Sequence, residues 1–201
     1  MTTSDPLSLN LTATLGRLHR ESSDFDLNPA IQLSPDRKLQ PSAVLIAVQN
    51  VDGVPHVILT ERASTLKHHA GQVAFPGGKR DAQDINLEQT ALREADEEIG
   101  LAADNVQVLG CMPSHETITG FSITPVLGLV RDAFEPRIDP NEVAEVFLCP
   151  LAHVTDSANF SVQGRRWRRQ QRYYHTVPYG PYYIWGATAQ ILRALAEGKG
   201  R

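Results

Sequence analysis

Cysteine is scarce in this chain of 201 residues: only Cys111 and Cys149 occur, far apart and at no metal-ligand spacing. A cysteine-based metal site is excluded by that spacing, and nothing calls for a disulfide between them. Both are expected to be reduced, small core residues. Long hydrophobic runs are missing too. The longest uninterrupted apolar stretch is Ala43–Val48, far too short to span a bilayer. Met1 to Leu15 has no basic start followed by an apolar stretch, so a signal peptide is not expected and cytoplasm is the expected compartment. Internal repeats and low-complexity tracts are also lacking. Nor is there an excess of positive charge. Lys and Arg number 19 against 23 Asp and Glu, a net charge of -4, which excludes wholesale electrostatic attachment to nucleic acid.

What remains is an ordinary globular composition, 41% hydrophobic and 21% charged, long enough for one domain with a real core. Residues 1–40 are polar and punctuated by Asp5-Pro6 and Ser34-Pro35-Asp36; Leu7, Leu9, Leu11 and Leu15 suit a short docked helix or arm. This segment is expected to be an extension packed on a domain spanning 41–201. Within that domain, Ala43–Gln49 reads as a buried strand, Val51-Asp52-Gly53 as a hairpin turn and His56–Glu61 as the returning strand. Gln72–Phe75 is a short strand ending in a Pro-Gly-Gly turn. Asn86, with Gln89 three residues on, resembles a capping box. Ala91, Leu92, Ala95 and Ile99 then cover one helical sector, and Gly100 is a natural stop. Val106–Met112, Ile123–Val130, Glu145–Leu148 and Arg172–Val177 read as strands, and Ile184–Leu195 as an amphipathic terminal helix. The pattern predicts a mixed α/β fold with helices on both faces of a sheet.

The central helix carries the chemistry. Glu94, Glu97 and Glu98 stand at i, i+3 and i+4, on one side of a helix. As like charges they repel by roughly 0.2–0.5 kcal/mol per pair, so helix stability alone does not account for them, and a divalent cation does. Hard cations such as Mg²⁺ take oxygen ligands and bridge to phosphate oxygens. The turn Phe75-Pro76-Gly77-Gly78 precedes the helix, and its glycines permit close backbone approach. Together these features point to metal-assisted hydrolysis of a phosphoanhydride.

The segment from Phe75-Pro76-Gly77-Gly78 through Arg93-Glu94-Ala95-Asp96-Glu97-Glu98-Ile99-Gly100-Leu101 resembles the Nudix box. Nudix enzymes hydrolyse a nucleoside diphosphate linked to another group. The spacing from Gly78 to Arg93 is one residue longer than in the usual box, and Ile85 stands where the first box glutamate would be. Asp81, Asp84 or Glu88 could take its place. Upstream, Leu59-Thr60-Glu61-Arg62-Ala63, Lys67, Gly71 and Phe75-Pro76-Gly77-Gly78 resemble the extra signature of the coenzyme A pyrophosphatase branch. Ser122-Ile123-Thr124-Pro125-Val126 and Ile184-Trp185-Gly186-Ala187-Thr188-Ala189 are similar to the same branch, so the resemblance runs over about 40–195.

The resemblance implies a Nudix-type α/β/α sandwich around a central mixed β-sheet. It implies Mg²⁺ or Mn²⁺ held by Glu94, Glu97 and Glu98, with the Gly78 carbonyl as a further ligand. Arg93 would hold a box glutamate, Glu97 being its natural partner. Glu145, with Glu142 second, would act as ligand or base. Arg62, Lys67, Gly77, Gly78 and Phe121 would meet the substrate, Phe121 either stacking on adenine or anchoring the core. His68 and His69 are expected to be ordinary surface histidines. The implied reaction splits coenzyme A, or a derivative, into 3′,5′-ADP and 4′-phosphopantetheine. The alternatives are another substrate, such as ADP-ribose or a nucleoside triphosphate, and a non-catalytic nucleotide-binding module. A homodimer is compatible with the family. The basic, aromatic stretch Arg165–Tyr174 suits a solvated hairpin, a dimer contact or a cationic rim for an anionic substrate better than it suits nucleic acid, because no recognition module accompanies it.

Overall fold

In the computed structural model, which describes residues 5–31, 34, 36–167 and 170–199, the apolar run 43–48 lies at the centre of a mixed sheet. The strands are β1 (Ser22–Ser23), β2 (Gln40–Val51), β3 (Val54–Arg62), β4 (Val73–Ala74), β5 (Gly77–Lys79), β6 (Val106–Cys111), β7 (His115–Glu116), β8 (Phe121–Val130), β9 (Val143–Pro150), β10 (Ser161–Trp167) and β11 (Gln170–Thr176). The helices are α1 (Pro6–Leu15), α2 (Leu87–Ile99), α3 (Leu151–Val154) and α4 (Gly186–Gly198). β2 runs parallel to β8 and antiparallel to β3 and β5; β9 and β4 continue from β3, and β6 and β7 pair with β8. β10 and β11 form a separate hairpin.

The alternation along β2 builds two cores. Ala43, Leu45 and Ala47 face α2 together with Ile58 and Val126, whereas Ile46 and Val48 face α4 with Val57, Leu59 and Leu127. Neighbouring side chains on a strand point to opposite faces, so one apolar run supplies both layers. Ala91 and Ala95 on α2 are fully buried; their small side chains let that helix approach the sheet closely. On the other face, Leu11 of α1 and Ile191, Leu192 and Leu195 of α4 fill the core. The result is an α/β/α sandwich with a mixed central sheet.

Two sequence expectations are corrected. Gly77-Gly78 is not a free turn: it opens β5, in register with Val44 and Ala43 of β2. A Cβ on Gly77 would collide with Ala43 O and the Val44 backbone, so glycine is what allows the two backbones to pair. Cys149 is buried but Cys111 is exposed, because it ends β6, a strand that among the described residues pairs only on its β8 side. Of the readings offered for Arg165–Tyr174, the hairpin is present: β10 pairs along its length with β11, and Arg168 and Arg169 lie outside the described residues.

Candidate active site

α2 is set by its ends. Asn86 accepts from Gln89 N–H at 2.8 Å, and the Gln89 side chain accepts from Ile85 N–H at 2.7 Å. This is a capping box displaced by one residue. Gly100 closes the helix at φ 72°, a left-handed conformation that suits glycine. The helix therefore presents Glu94 and Glu98 towards β5. Gly77 N–H donates to Glu98 Oε2 at 3.1 Å, and Arg62, at the end of β3, stands 3.8 Å from Glu98 Oε1. Gly78 is glycine for a specific reason. A Cβ there would occupy the space of the Glu94 carboxylate.

Arg93 locks this arrangement. Its Nε and one terminal nitrogen grip both oxygens of Asp84 at 3.0 Å, and it also meets Glu94 at 3.0 Å, Glu97 at 2.9 Å and the Lys79 carbonyl at 3.2 Å. Asp84 is buried and further accepts from Asp81 N–H and the Thr90 hydroxyl. The Arg93 guanidinium holds the Asp84 carboxyl well below the usual carboxylate range. Of Asp81, Asp84 and Glu88, it is thus Asp84 that partners Arg93 where the usual box has a glutamate. The Ile85 side chain is solvent-exposed.

Electrostatics divide the glutamates. Burial pushes the Glu98 carboxyl up to about 7; Gly77 N–H and Arg62 pull it down, and Glu142 and Glu94 push it higher. Glu94 is raised by burial, offset by Arg93, with Glu97 and Glu142 adding repulsion. Glu97 is mostly exposed, on the solvent side of Arg93. Glu142 is thus the downstream acid whose charge acts on the pair. Glu145 accepts from the Tyr182 hydroxyl at 2.8 Å, and Tyr182 stacks on Phe147, ring centroids 3.6 Å apart. Glu145 shares a strand face with Phe147, whose core faces α4.

A cavity of about 550 Å³ adjoins Arg62. Phe75, Phe121, Ile123 and Trp185 are among its walls, and Arg165, Arg172 and Tyr173 of the hairpin border it. Lys79 lies over the Phe121 ring at 5.7 Å. Lys67, expected beside Arg62, is exposed and does not line these walls; His68 and His69 are exposed surface histidines as expected, and His69 also borders the cavity. In the bend after β3, His69 takes a left-handed φ of 58° and bonds to Gln72 at 2.9 Å while remaining exposed. Sequence reasoning missed the N-terminal wall. Asp24 and Asn28 border the cavity. Asp24 accepts from His115, which also bonds to Ser22, and Asn28 makes two hydrogen bonds to the Tyr173 backbone at 2.8 and 2.9 Å. Only the polarity of residues 1–40 hinted at a role other than core.

The chemistry of this donor set suits a hard divalent cation. Among the described residues no three carboxylate, imidazole or thiol groups converge closely enough to enclose an ion by themselves. Mg²⁺ does not require that, since it is commonly held by one or two carboxylates plus waters and substrate phosphate oxygens. The buried Glu98 and the half-buried Glu94, one helical turn apart beside the Gly77-Gly78 backbone, fit such an ion, and the nearby Arg62 fits the phosphate it would bridge to.

The NUDIX domain family matches residues 38–171. A Nudix hydrolase NudL of Pectobacterium atrosepticum, described as uncharacterized, is 38% identical over 174 residues, covering 86% of this chain and 89% of that protein. Another of that name, from Salmonella paratyphi B, is 40% identical over 142 residues, covering 71% and 74%. Among solved structures, a MutT/nudix family protein from Enterococcus faecalis aligns with TM-score 0.50 at 18% identity, covering 84% of this chain and 64% of that one, a likeness of fold. The chain therefore belongs to the Nudix family and is a Nudix hydrolase. Among the described residues no helix is long and apolar enough to cross a membrane.

Proposed function

We propose that this Nudix hydrolase cleaves the diphosphate of coenzyme A or a derivative, releasing 3′,5′-ADP and 4′-phosphopantetheine. One observation carries the substrate. Three segments distant in sequence, each similar to the coenzyme A branch, meet around one cavity: Arg62 and Phe75 from the first, Ile123 from the second, Trp185 and Thr188 from the third.

Glu94, Glu98 and the Gly78 carbonyl are the donors that would hold Mg²⁺ or Mn²⁺, with Glu97 a further carboxylate at the solvent side. When bound, the metal neutralises phosphate oxygens and makes a water more acidic. The chain's own side chains do the rest. Arg62 grips phosphate at the cavity mouth. Arg93, fixed by Asp84, holds Glu94 in position. Glu142 takes the proton of the attacking water; Glu145 is already engaged by the Tyr182 hydroxyl, on the strand face it shares with Phe147. Positioning and charge neutralisation account for catalysis of this type.

The test is a substrate panel with Mg²⁺ comparing coenzyme A, its disulfide and acyl forms, ADP-ribose and nucleoside triphosphates. Coenzyme A compounds should give the highest kcat/KM; equal or better turnover of ADP-ribose refutes the substrate. Glu98→Gln should lower turnover by about a hundredfold or more with folding retained. Undiminished turnover in that variant refutes the assigned site, and a wild-type chain that binds these compounds without cleaving any would be a binding module.

A further inference from the structure

We propose that Arg165 and Arg172 form a second anion subsite of the cavity, which takes a phosphomonoester of the substrate other than its phosphoanhydride. The register of the hairpin places Arg165 directly opposite Arg172. Like charges at opposed positions destabilise a strand pair. Among the described residues neither arginine has a carboxylate within ion-pair distance. The Nε–H of Arg172 is buried and has no hydrogen-bond partner among the described residues; a buried donor left unpaired costs stability unless something else satisfies it.

Both arginines line the cavity, where the described residues supply just one carboxylate, Asp24. That carboxylate is already engaged: one oxygen accepts from His115 and the other from Ile118 N–H. The remaining wall arginine, Arg62, faces Glu98. The cavity thus has two cationic poles, Arg62 beside the carboxylates of α2 and the arginine pair on the hairpin, with Phe75, Phe121 and Ile123 also in its walls. Guanidinium groups match phosphate oxygens with paired hydrogen bonds. The hairpin is not free to drift, because the Asn28 amide clamps the Tyr173 backbone next to Arg172 on both its N–H and its carbonyl. The ligand that fits is a nucleotide with a phosphoanhydride at one pole and a separate, dianionic phosphate at the other. The proposal rests on the nucleotide-hydrolase reading above and adds the feature of the substrate that the hairpin reads.

Calorimetric titration of the full-length protein with adenosine 3′,5′-bisphosphate and with adenosine 5′-monophosphate tests it without relying on turnover. The bisphosphate should bind about tenfold more tightly or better, in line with charge-assisted paired hydrogen bonds. Arg165→Gln with Arg172→Gln should reduce that preference to about threefold or less, and Arg165→Lys with Arg172→Lys should restore part of it by keeping the charge. Equal binding of the two nucleotides by the wild type overturns the proposal. So does an unchanged preference in the glutamine pair or, if that variant does not fold, in Arg172→Lys, which drops the Nε–H. A single-stranded RNA that binds more tightly than the bisphosphate, and weakens in the same variants, overturns it in favour of a nucleic-acid surface. A protein that prefers the bisphosphate through these arginines but cleaves no diphosphate keeps the subsite and loses the hydrolase reading. Unchanged KM for coenzyme A in the glutamine pair loses the subsite and keeps the hydrolase.

Discussion

A single missing atom makes room for one of the carboxylates of α2. Gly78 leaves open the space that Glu94 fills, so Gly78→Ala should displace that carboxylate while β5 stays paired, since the clash is with the far end of a flexible side chain. Turnover is expected to fall by about tenfold to a hundredfold, as for other groups that orient a metal ligand, with the melting temperature little changed; a melt beside a rate assay checks both. Asp84 acts one residue further out. Its pair with Arg93 is bidentate and buried on the aspartate side, while the arginine is 27% exposed. Breaking a buried pair costs 3–5 kcal/mol, and partial exposure of the arginine places Asp84→Asn near the lower end, about 3 kcal/mol in denaturant unfolding. The effect should depend on pH in a fixed direction. The folded carboxyl is held below its unfolded value, so its stabilisation is complete above the unfolded range of about pH 4 and fades as pH falls towards the folded value. The stability gap between wild type and Asp84→Asn should therefore be full at pH 7 and narrow on acidification below about pH 4.

At the scale of elements, the site is an agreement between α2, β5 and the end of β3. α2 brings the acids, β5 brings backbone donors and an empty Cβ position, and β3 ends at Arg62. Each is held by local chemistry: the Asn86 cap, the Gly77 approach to β2, and the pairing of β3 with β9. The β10–β11 hairpin is different. It stands apart from the main sheet and leans on the N-terminal segment through Asn28. Asn28→Ala removes both of those bonds, at a cost of about 1–2 kcal/mol, and the loss should be local. Hydrogen exchange should quicken in 170–176 and remain slow in β2 and β8. Uniform acceleration throughout the sheet would mean that the hairpin is not a separately anchored unit.

Across the whole molecule the two cores share β2, β3 and β8, so a defect on one face should be felt on the other. Leu192→Ala on α4, at a fully buried position, should cost about 2–5 kcal/mol, and far-UV dichroism and tryptophan fluorescence should report the same lowered transition. Separated transitions would show that the two layers unfold independently. Much of this architecture was legible in the chain itself. The longer strands of the central sheet, the span of α2 with its cap and stop, and the placing of Glu94 and Glu98 on one side of it follow from periodicity and short-range chemistry, because the groups involved are neighbours in sequence. The choice among Asp81, Asp84 and Glu88 does not. It depends on which carboxylate the loop buries against Arg93 and Thr90, a matter of tertiary placement. The same holds for His69 rather than Lys67 at the cavity wall, for the stance of Glu142 and Glu145 on β9 and its approach, and for the Asn28 clamp on a strand 145 residues away. Local sequence determined the helices, the strands and the acidic patch, since each needs only residues within a few positions of one another. Long-range packing alone decided which side chains share a cavity, since that depends on the register of strands and on contacts whose partners lie far apart along the chain.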